Sequence, residues 1–157
     1  MLKAAFSGSF DPLTFGHLNL IERAAALFDD LTVVLTENLQ KKALFSLKER
    51  IFMVAESVKP WKNVAVASSP ALTVDFMRER GIKILVRGIR GTQDFSYEFE
   101  LSLWNKTLSP EIETLFLIAD PRHSLVSSSA VKELAAFHRD ISAYVPPLVE
   151  EALKKIF

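Results

Sequence analysis

The sequence predicts an α/β fold: a doubly wound, five-stranded parallel sheet with helices on both faces. Two observations predict it. Short apolar runs alternate with amphipathic stretches of helical spacing, a pattern that calls for a parallel sheet covered on both sides. The polar, chemistry-bearing segments follow the first, second, fourth and fifth runs, so they converge on one edge, where such sheets bind ligands. The 157 residues are the usual size of one domain, taken here as 1–157, and about half are apolar, enough for a full core.

Leu2–Phe6 reads as a buried first strand. Leu18, Ile21, Ala25 and Phe28 then mark one face of a helix over Gly16–Phe28. Between them lies Ser7-Gly8-Ser9-Phe10-Asp11-Pro12-Leu13-Thr14, a glycine-containing loop with a turn signal. Strand, loop and helix start together make an anion site, because the first amides of a helix lack partners and its dipole end is positive. His17 falls in the first helical turn, where an imidazole can stabilise charge developing on a phosphate. The plainer reading is that Thr14 caps the helix and His17 is an ordinary first-turn residue. Neither Gly-x-Gly-x-x-Gly nor the Walker pattern occurs at this loop.

Leu31–Leu35 is the second strand, followed by the polar loop Thr36–Phe45 with Lys41 and Lys42. Ser46-x-x-Glu49 is a capping box that starts a helix over Leu47–Val58. Val64–Val66 is the third strand, and Thr73–Arg80 a short helix stopped by Gly81. Ile84–Val86 is the fourth strand and runs into Arg87-Gly88-Ile89-Arg90. Two arginines around a glycine at a strand's carboxyl end suit phosphate, since each guanidinium can grip it with two parallel bonds. The helix Asp94–Leu108 carries two apolar stripes: Phe95, Phe99 and Leu103, and Tyr97, Leu101, Trp104 and Leu108. One stripe should pack on the sheet and the other needs a second surface, which predicts a subunit interface. Glu98, near the arginines, could equally be their ion-pair partner. Leu115–Ile118 is the fifth strand, and Ser127-Ser128-Ser129 opens a helix over Ser128–Phe137, a second place where hydroxyls and free amides meet. Pro147 begins a final, structural helix to Lys155; His138 is given no catalytic role.

Composition narrows the function. Nineteen basic residues balance nineteen acidic ones, so no global charge favours nucleic acid. No cysteine is present, which excludes disulfides, thiolate metal sites and thiol catalysis. No run is long enough to span a bilayer and the N-terminus lacks a signal-peptide layout, so no membrane association and a cytoplasmic location are expected.

Thr14-x-Gly16-His17, preceded by Gly8-Ser9-Phe10-Asp11-Pro12, resembles the T/H-x-G-H signature of the nucleotidylyltransferase superfamily. Lys41 in Gln40-Lys41-Lys42, Val86-Arg87-Gly88-Ile89-Arg90, Asp94-Phe95-Ser96-Tyr97-Glu98 and Val126-Ser127-Ser128-Ser129 follow in the order of the pantetheine-phosphate adenylyltransferases, which the chain resembles from first strand to last helix. The family usually has Pro-Gly-Thr where Ser7-Gly8-Ser9 stands; losing the proline frees one backbone angle, and serine keeps the hydroxyl. The resemblance implies a Rossmann-like fold and transfer of the adenylyl group of ATP to 4′-phosphopantetheine, giving dephospho-coenzyme A and pyrophosphate. It implies His17 as transition-state stabiliser, with Lys41 and Arg90 also catalytic. It implies ATP contacts from Ser9, Phe10, His17, Gly88, Ile89, Arg90, Glu98, and His123, Ser124, Leu125, Val126, Ser127, Ser128 and Ser129. Substrate contacts would come from Ser9, Lys41, Thr73 and Arg87, with Leu72 beside Thr73. It further implies Mg2+ arriving with ATP rather than a protein metal cage, a homohexamer, and feedback by coenzyme A. Readings left open are a relative that uses CTP or a nicotinamide nucleotide, and a non-catalytic flavodoxin- or receiver-like module.

Overall fold

The computed structural model describes residues 1–157. In chain order the elements are β1 (Lys3–Gly8), α1 (Phe15–Leu27), β2 (Asp30–Leu35), α2 (Leu47–Val58), β3 (Val64–Ser68), α3 (Thr73–Glu79), β4 (Ile84–Ile89), α4 (Thr92–Leu108), β5 (Glu113–Ile118), α5 (Ser128–Ala136) and α6 (Pro147–Ile156), with a 3-10 turn at Pro121–His123 before α5. The strands form one parallel sheet in the order β3-β2-β1-β4-β5. The chain builds outward from β1 to β3, then crosses back to β4 and β5. The reversal lies between β1 and β4, which opens a crevice beyond their carboxyl ends.

Every expected strand and helix is present, but several strands run further than their apolar residues. β1 continues past Phe6 through Ser7 and Gly8, which pair with Val34 and Leu35. β4 continues past Val86 through Arg87, Gly88 and Ile89, paired with Phe116, Leu117 and Ile118. Ladder hydrogen bonds belong to the backbone and are indifferent to side-chain polarity. A strand therefore ends where its neighbour ends, and the sheet carries polar residues into the crevice.

Alternation along the strands divides the interior in two. Ala4, Phe6, Leu31, Val33, Leu35 and Val86 face α1, α2, α5 and α6 in a core of 23 buried residues. Ala5, Val34 and Leu85 face the other way, against Val74, Phe76 and Met77 of α3, in a core of only eight. The second face is thus the thinly covered one. Local signals set the helix ends. Ser46 and Glu49 form the expected reciprocal capping box, and Gly81 takes φ +66 just beyond α3.

α4 departs from expectation. Neither apolar stripe is buried against the sheet: Phe95, Phe99 and Leu103 are exposed, as are Tyr97, Trp104 and Leu108, and the first stripe meets the sheet only where the Phe95 ring touches Phe116 of β5 edge-on. The helix turns Asp94, Glu98, Leu101, Ser102 and Asn105 inward, and Glu98 is its only buried residue. The reason is a cavity of about 830 Å³ between α4 and the second face of the sheet, lined by Leu85, Arg87 and Thr114 on one side and Tyr97, Glu98, Leu101, Ser102 and Asn105 on the other. A helix across a polar cavity from its sheet puts polar residues inward. Apart from Leu101, which lines the cavity, its apolar stripes are left exposed, as are Leu115 and Ile118 of the edge strand β5. No helix is long and apolar enough to cross a membrane.

Close packing of α1 on β4 depends on Gly88. A Cβ there would lie 2.3 Å from Leu20 Cδ1. We expect Gly88→Ala to lower stability by about 1–3 kcal/mol in urea unfolding, from overpacking. The same change in a Leu20→Ala background should cost less, because the clashing carbon is gone; equal costs in the two backgrounds would show that the contact does not matter.

Candidate active site

The carboxyl ends of β1 and β4 and the starts of α1 and α5 enclose a cavity of about 290 Å³. Its lining includes Ser9, Phe10, His17, Arg87, Gly88, Arg90, Glu98, His123 and Val126–Ser129. The structure therefore brings the imidazole and both guanidinium groups to one place. Lys41 lines a second cavity of about 260 Å³, and Thr73, Leu72 and Arg87 line the large cavity under α4. Ser9 lines all three. Three expected residues stand apart from the lining. Ile89 is buried, Ser124 donates to the Pro121 carbonyl, and the Leu125 side chain is 91% exposed.

His17 is held by the helix start itself. Thr14 is the N-cap of α1, and its Oγ1 accepts from His17 N–H at 3.3 Å. The Thr14 backbone N–H in turn donates to His17 Nδ1 at 3.0 Å. This is a capping box with histidine in the place usually filled by Glu or Gln. A backbone N–H can only donate, so Nδ1 must be the unprotonated acceptor and the neutral ring carries its proton on Nε2. Phe10 meets the ring edge-on, centroids 5.0 Å apart, and itself sits at φ +48, a left-handed position uncommon for a bulky residue. The Thr14 cap and the His17 role are thus compatible: one pair of bonds starts the helix and fixes the tautomer.

Burial, then Arg90, then Arg87, push the His17 pKa down from 6.5 to about 4. The group is an uncharged donor at neutral pH. The arginines that depress it are themselves anchored. Arg87 donates Nε and Nη2 to the Glu98 carboxylate at 2.8 and 2.6 Å, and Nη1 to Ser7 Oγ at 2.9 Å. Arg90 donates Nε to Asp94 at 2.9 Å and Nη1 to the Val126 carbonyl at 3.3 Å. Glu98 is therefore the ion-pair partner of Arg87. An incoming phosphate would share these guanidinium groups with carboxylates already in place. At the α5 start, Ser127 Oγ caps the helix by accepting from Ala130 N–H, and Ser128 Oγ donates to the Pro12 carbonyl. Of the three serines, two have work within the protein.

Several residues escaped sequence reasoning. Arg50 is 2% exposed and donates to the carbonyls of Phe45, Ser9 and Thr36, tying the first loop to both ends of the Lys41 loop. A signal existed: Arg50 shares the buried face of α2 with Met53, Val54 and Val58, and an arginine on an apolar stripe needs a reason. Asp11 accepts from Leu44 N–H and Phe45 N–H and pairs with Lys132 at 3.2 Å. Lys132 lies one turn beyond Ser128, which only the fold turns toward Asp11. No group of three or more His, Cys, Asp or Glu side chains is placed to hold a metal ion.

A family model described as cytidylyltransferase-like matches residues 5–134. The chain belongs to this family. It is accordingly a nucleotidyltransferase by family, and a crevice of amides, hydroxyls and cations is what a nucleotide's phosphates require. Among solved structures, it is similar to a protein from Vibrio parahaemolyticus described as a nicotinate-nucleotide adenylyltransferase, with a TM-score of 0.73 and 19% identity over 99% of this chain and 93% of that one. At that identity the likeness establishes the shared Rossmann-like fold.

The His17 tautomer is directly measurable. Nitrogen-15 NMR of the imidazole should show Nε2 protonated and Nδ1 unprotonated through neutral pH, with a midpoint near 4. Because the folded pKa lies below the unfolded 6.5, the unfolded chain takes up the proton first as pH falls. His17 therefore contributes stability above pH 6.5 that is lost between there and about 4, and His17→Gln should flatten that part of the pH–stability curve. A midpoint near 6.5 would contradict the site electrostatics.

Proposed function

We propose that the protein transfers the adenylyl group of ATP to 4′-phosphopantetheine, giving dephospho-coenzyme A and pyrophosphate, late in coenzyme A biosynthesis. The observation that carries the transfer chemistry is the pinned, neutral His17 between two arginines at the switch point. In the reaction an oxygen of the acceptor phosphate attacks the α-phosphorus of ATP. The bond from that phosphorus to the oxygen bridging to the β-phosphate breaks, and its electron pair leaves with pyrophosphate. The nucleophile is already ionised at neutral pH, so no general base is required. The protein must align two polyanions and offset their repulsion. Nε2–H of His17 would donate to an α-phosphate oxygen as its charge grows, and Arg87, Arg90 and Lys41 would supply positive charge. Alignment alone can remove roughly 7–11 kcal/mol of barrier in favourable cases.

The acceptor reading is supported by the cavity under α4, which adjoins Arg87 at one end. Its walls mix apolar Leu72, Leu85 and Leu101 with the neutral hydrogen-bonding groups of Ser102, Asn105 and Thr114. A phosphate with an uncharged, amide-bearing arm suits those walls; apart from Arg87, the cavity holds no fixed cation for a pyridine carboxylate. Mg2+ would enter bound to the ATP phosphates and mostly hydrated, since the side chains present do not form a cage for it. The exposed faces of α4 and β5 support assembly of copies, here taken to be a homohexamer, and coenzyme A is the expected feedback ligand.

The test is pyrophosphate release from ATP and Mg2+ with 4′-phosphopantetheine, nicotinate mononucleotide or no acceptor, and CTP in place of ATP. Turnover should require ATP and phosphopantetheine; turnover only with the pyridine nucleotide would replace the acceptor assignment. His17→Ala should lower turnover about 10²–10³-fold while ATP affinity changes far less. Light scattering should report six chain masses, falling to smaller species in Trp104→Glu.

A further inference from the structure

We propose that Arg50 is a positioning residue: its buried guanidinium fastens the Lys41 loop to the loop after β1, and so sets where Lys41 stands relative to His17. The inference rests on the nucleotidyl-transfer reading above but not on which acceptor is used. Arg50 is 2% exposed, on the buried face of α2 with Met53 and Val54, and meets no carboxylate at ion-pair distance. A buried charge without a counter-charge is costly, where a leucine or methionine would pack without that cost. Its bonds all go to backbone carbonyls. Nε donates to Phe45 at 3.1 Å, and Nη1 donates to Ser9 at 2.9 Å and reaches Thr36 at 3.5 Å. Thr36 and Phe45 are the two ends of the Lys41 loop, and Ser9 belongs to the segment that leads into Thr14 and His17. One planar fork therefore ties three strands of backbone together.

The ends of the Lys41 loop are fixed and its middle is not. Thr36 N–H donates to the Gly8 carbonyl at 2.9 Å, and Asp11 accepts from Leu44 N–H and Phe45 N–H at 2.8 and 2.9 Å. Residues 37–43 are exposed, and their hydrogen bonds are local: Lys41 N–H to the Asn38 carbonyl at 3.2 Å and Gln40 N–H to Asn38 Oδ1 at 2.9 Å. A side chain on such a segment is placed only as well as the ends that carry it. Lys41 lines a cavity with Ser9 and Ser128, so its reach toward the crevice is set where Arg50 holds the loop. In a reaction governed by alignment, a shift of about 1 Å can cost about 10²-fold in rate.

Pyrophosphate-release kinetics and trypsin cleavage of the full-length protein test this. Arg50→Met should lower kcat about 10- to 100-fold. It should also speed cutting after Lys41 and Lys42, read by mass spectrometry at a temperature where the chain is folded. Met53→Ala, a truncation on the same buried face of α2, should lower the unfolding midpoint and change neither readout. Because Arg50 acts through Lys41, adding Arg50→Met to Lys41→Ala should cost little more; the two losses should not multiply. Arg50→Lys keeps the charge but not the fork, and should recover only part of the loss. Losses that multiply would make Arg50 a substrate ligand in its own right or a general support of the fold, and would overturn the proposal. So would unchanged kcat or unchanged cutting in Arg50→Met, or the same changes in Met53→Ala. A wild type that turns over no acceptor would sink the transfer reading, while faster cutting in Arg50→Met and not in Met53→Ala would still establish Arg50 as the anchor of the loop.

Discussion

The reciprocal hydrogen bonds between Thr14 and His17 are the constraint on which the site depends. They satisfy orphan amides at the start of α1, so the helix begins at one place. They leave Nδ1 only an acceptor's role, so the ring has one tautomer and one orientation. Because the helix then packs through Leu20 against Gly88, the imidazole is tied to the same strand that carries Arg87 and Arg90. A donor held this way needs no rearrangement as charge develops, which is the condition for effective electrostatic stabilisation.

Charge around the crevice follows one pattern. Arg87 rests on Glu98, Arg90 on Asp94, and Lys132 on Asp11, while Arg50 rests on carbonyl oxygens. The carboxylates keep the long cationic side chains in defined places before any ligand arrives, lowering the ordering cost of binding. They also moderate the field, so the site attracts phosphate within a chain of zero formal net charge. Burial keeps His17 neutral, and the field that remains, from Arg90 and then Arg87, reinforces it. A protonated imidazole would have to sit between two guanidinium groups in a half-buried crevice, and that repulsion adds to the loss of solvation.

The thin second face of the sheet is equally consequential. α3 alone packs there in force; α4 bridges a cavity and meets the sheet through the Arg87–Glu98 pair and the edge contact of Phe95 with Phe116. Space for a ligand comes from this incomplete covering. The same standoff exposes the aromatic stripes of α4 beside the β5 edge, so the opening for a substrate and an apolar outer surface have one structural cause.

From sequence alone came the strand and helix order, the parallel sheet, the Thr14 cap, the capping box at Ser46, the glycine after α3 and the convergence of the motif segments. These are local or periodic properties: capping needs three or four residues, and burial leaves a repeat of two or 3.6. The apolar stripes of α4 showed the limit of that logic, because periodicity reveals that a face is apolar but not what it meets. The tertiary structure alone decided that those stripes point outward, that Glu98 pairs with Arg87, that Arg50 clamps two loops and that Lys132 meets Asp11 from 121 residues away. Such contacts join segments distant in the chain, and no local pattern encodes them. They follow only once the backbone ladder has set the register of the strands and the helices have taken their places on them.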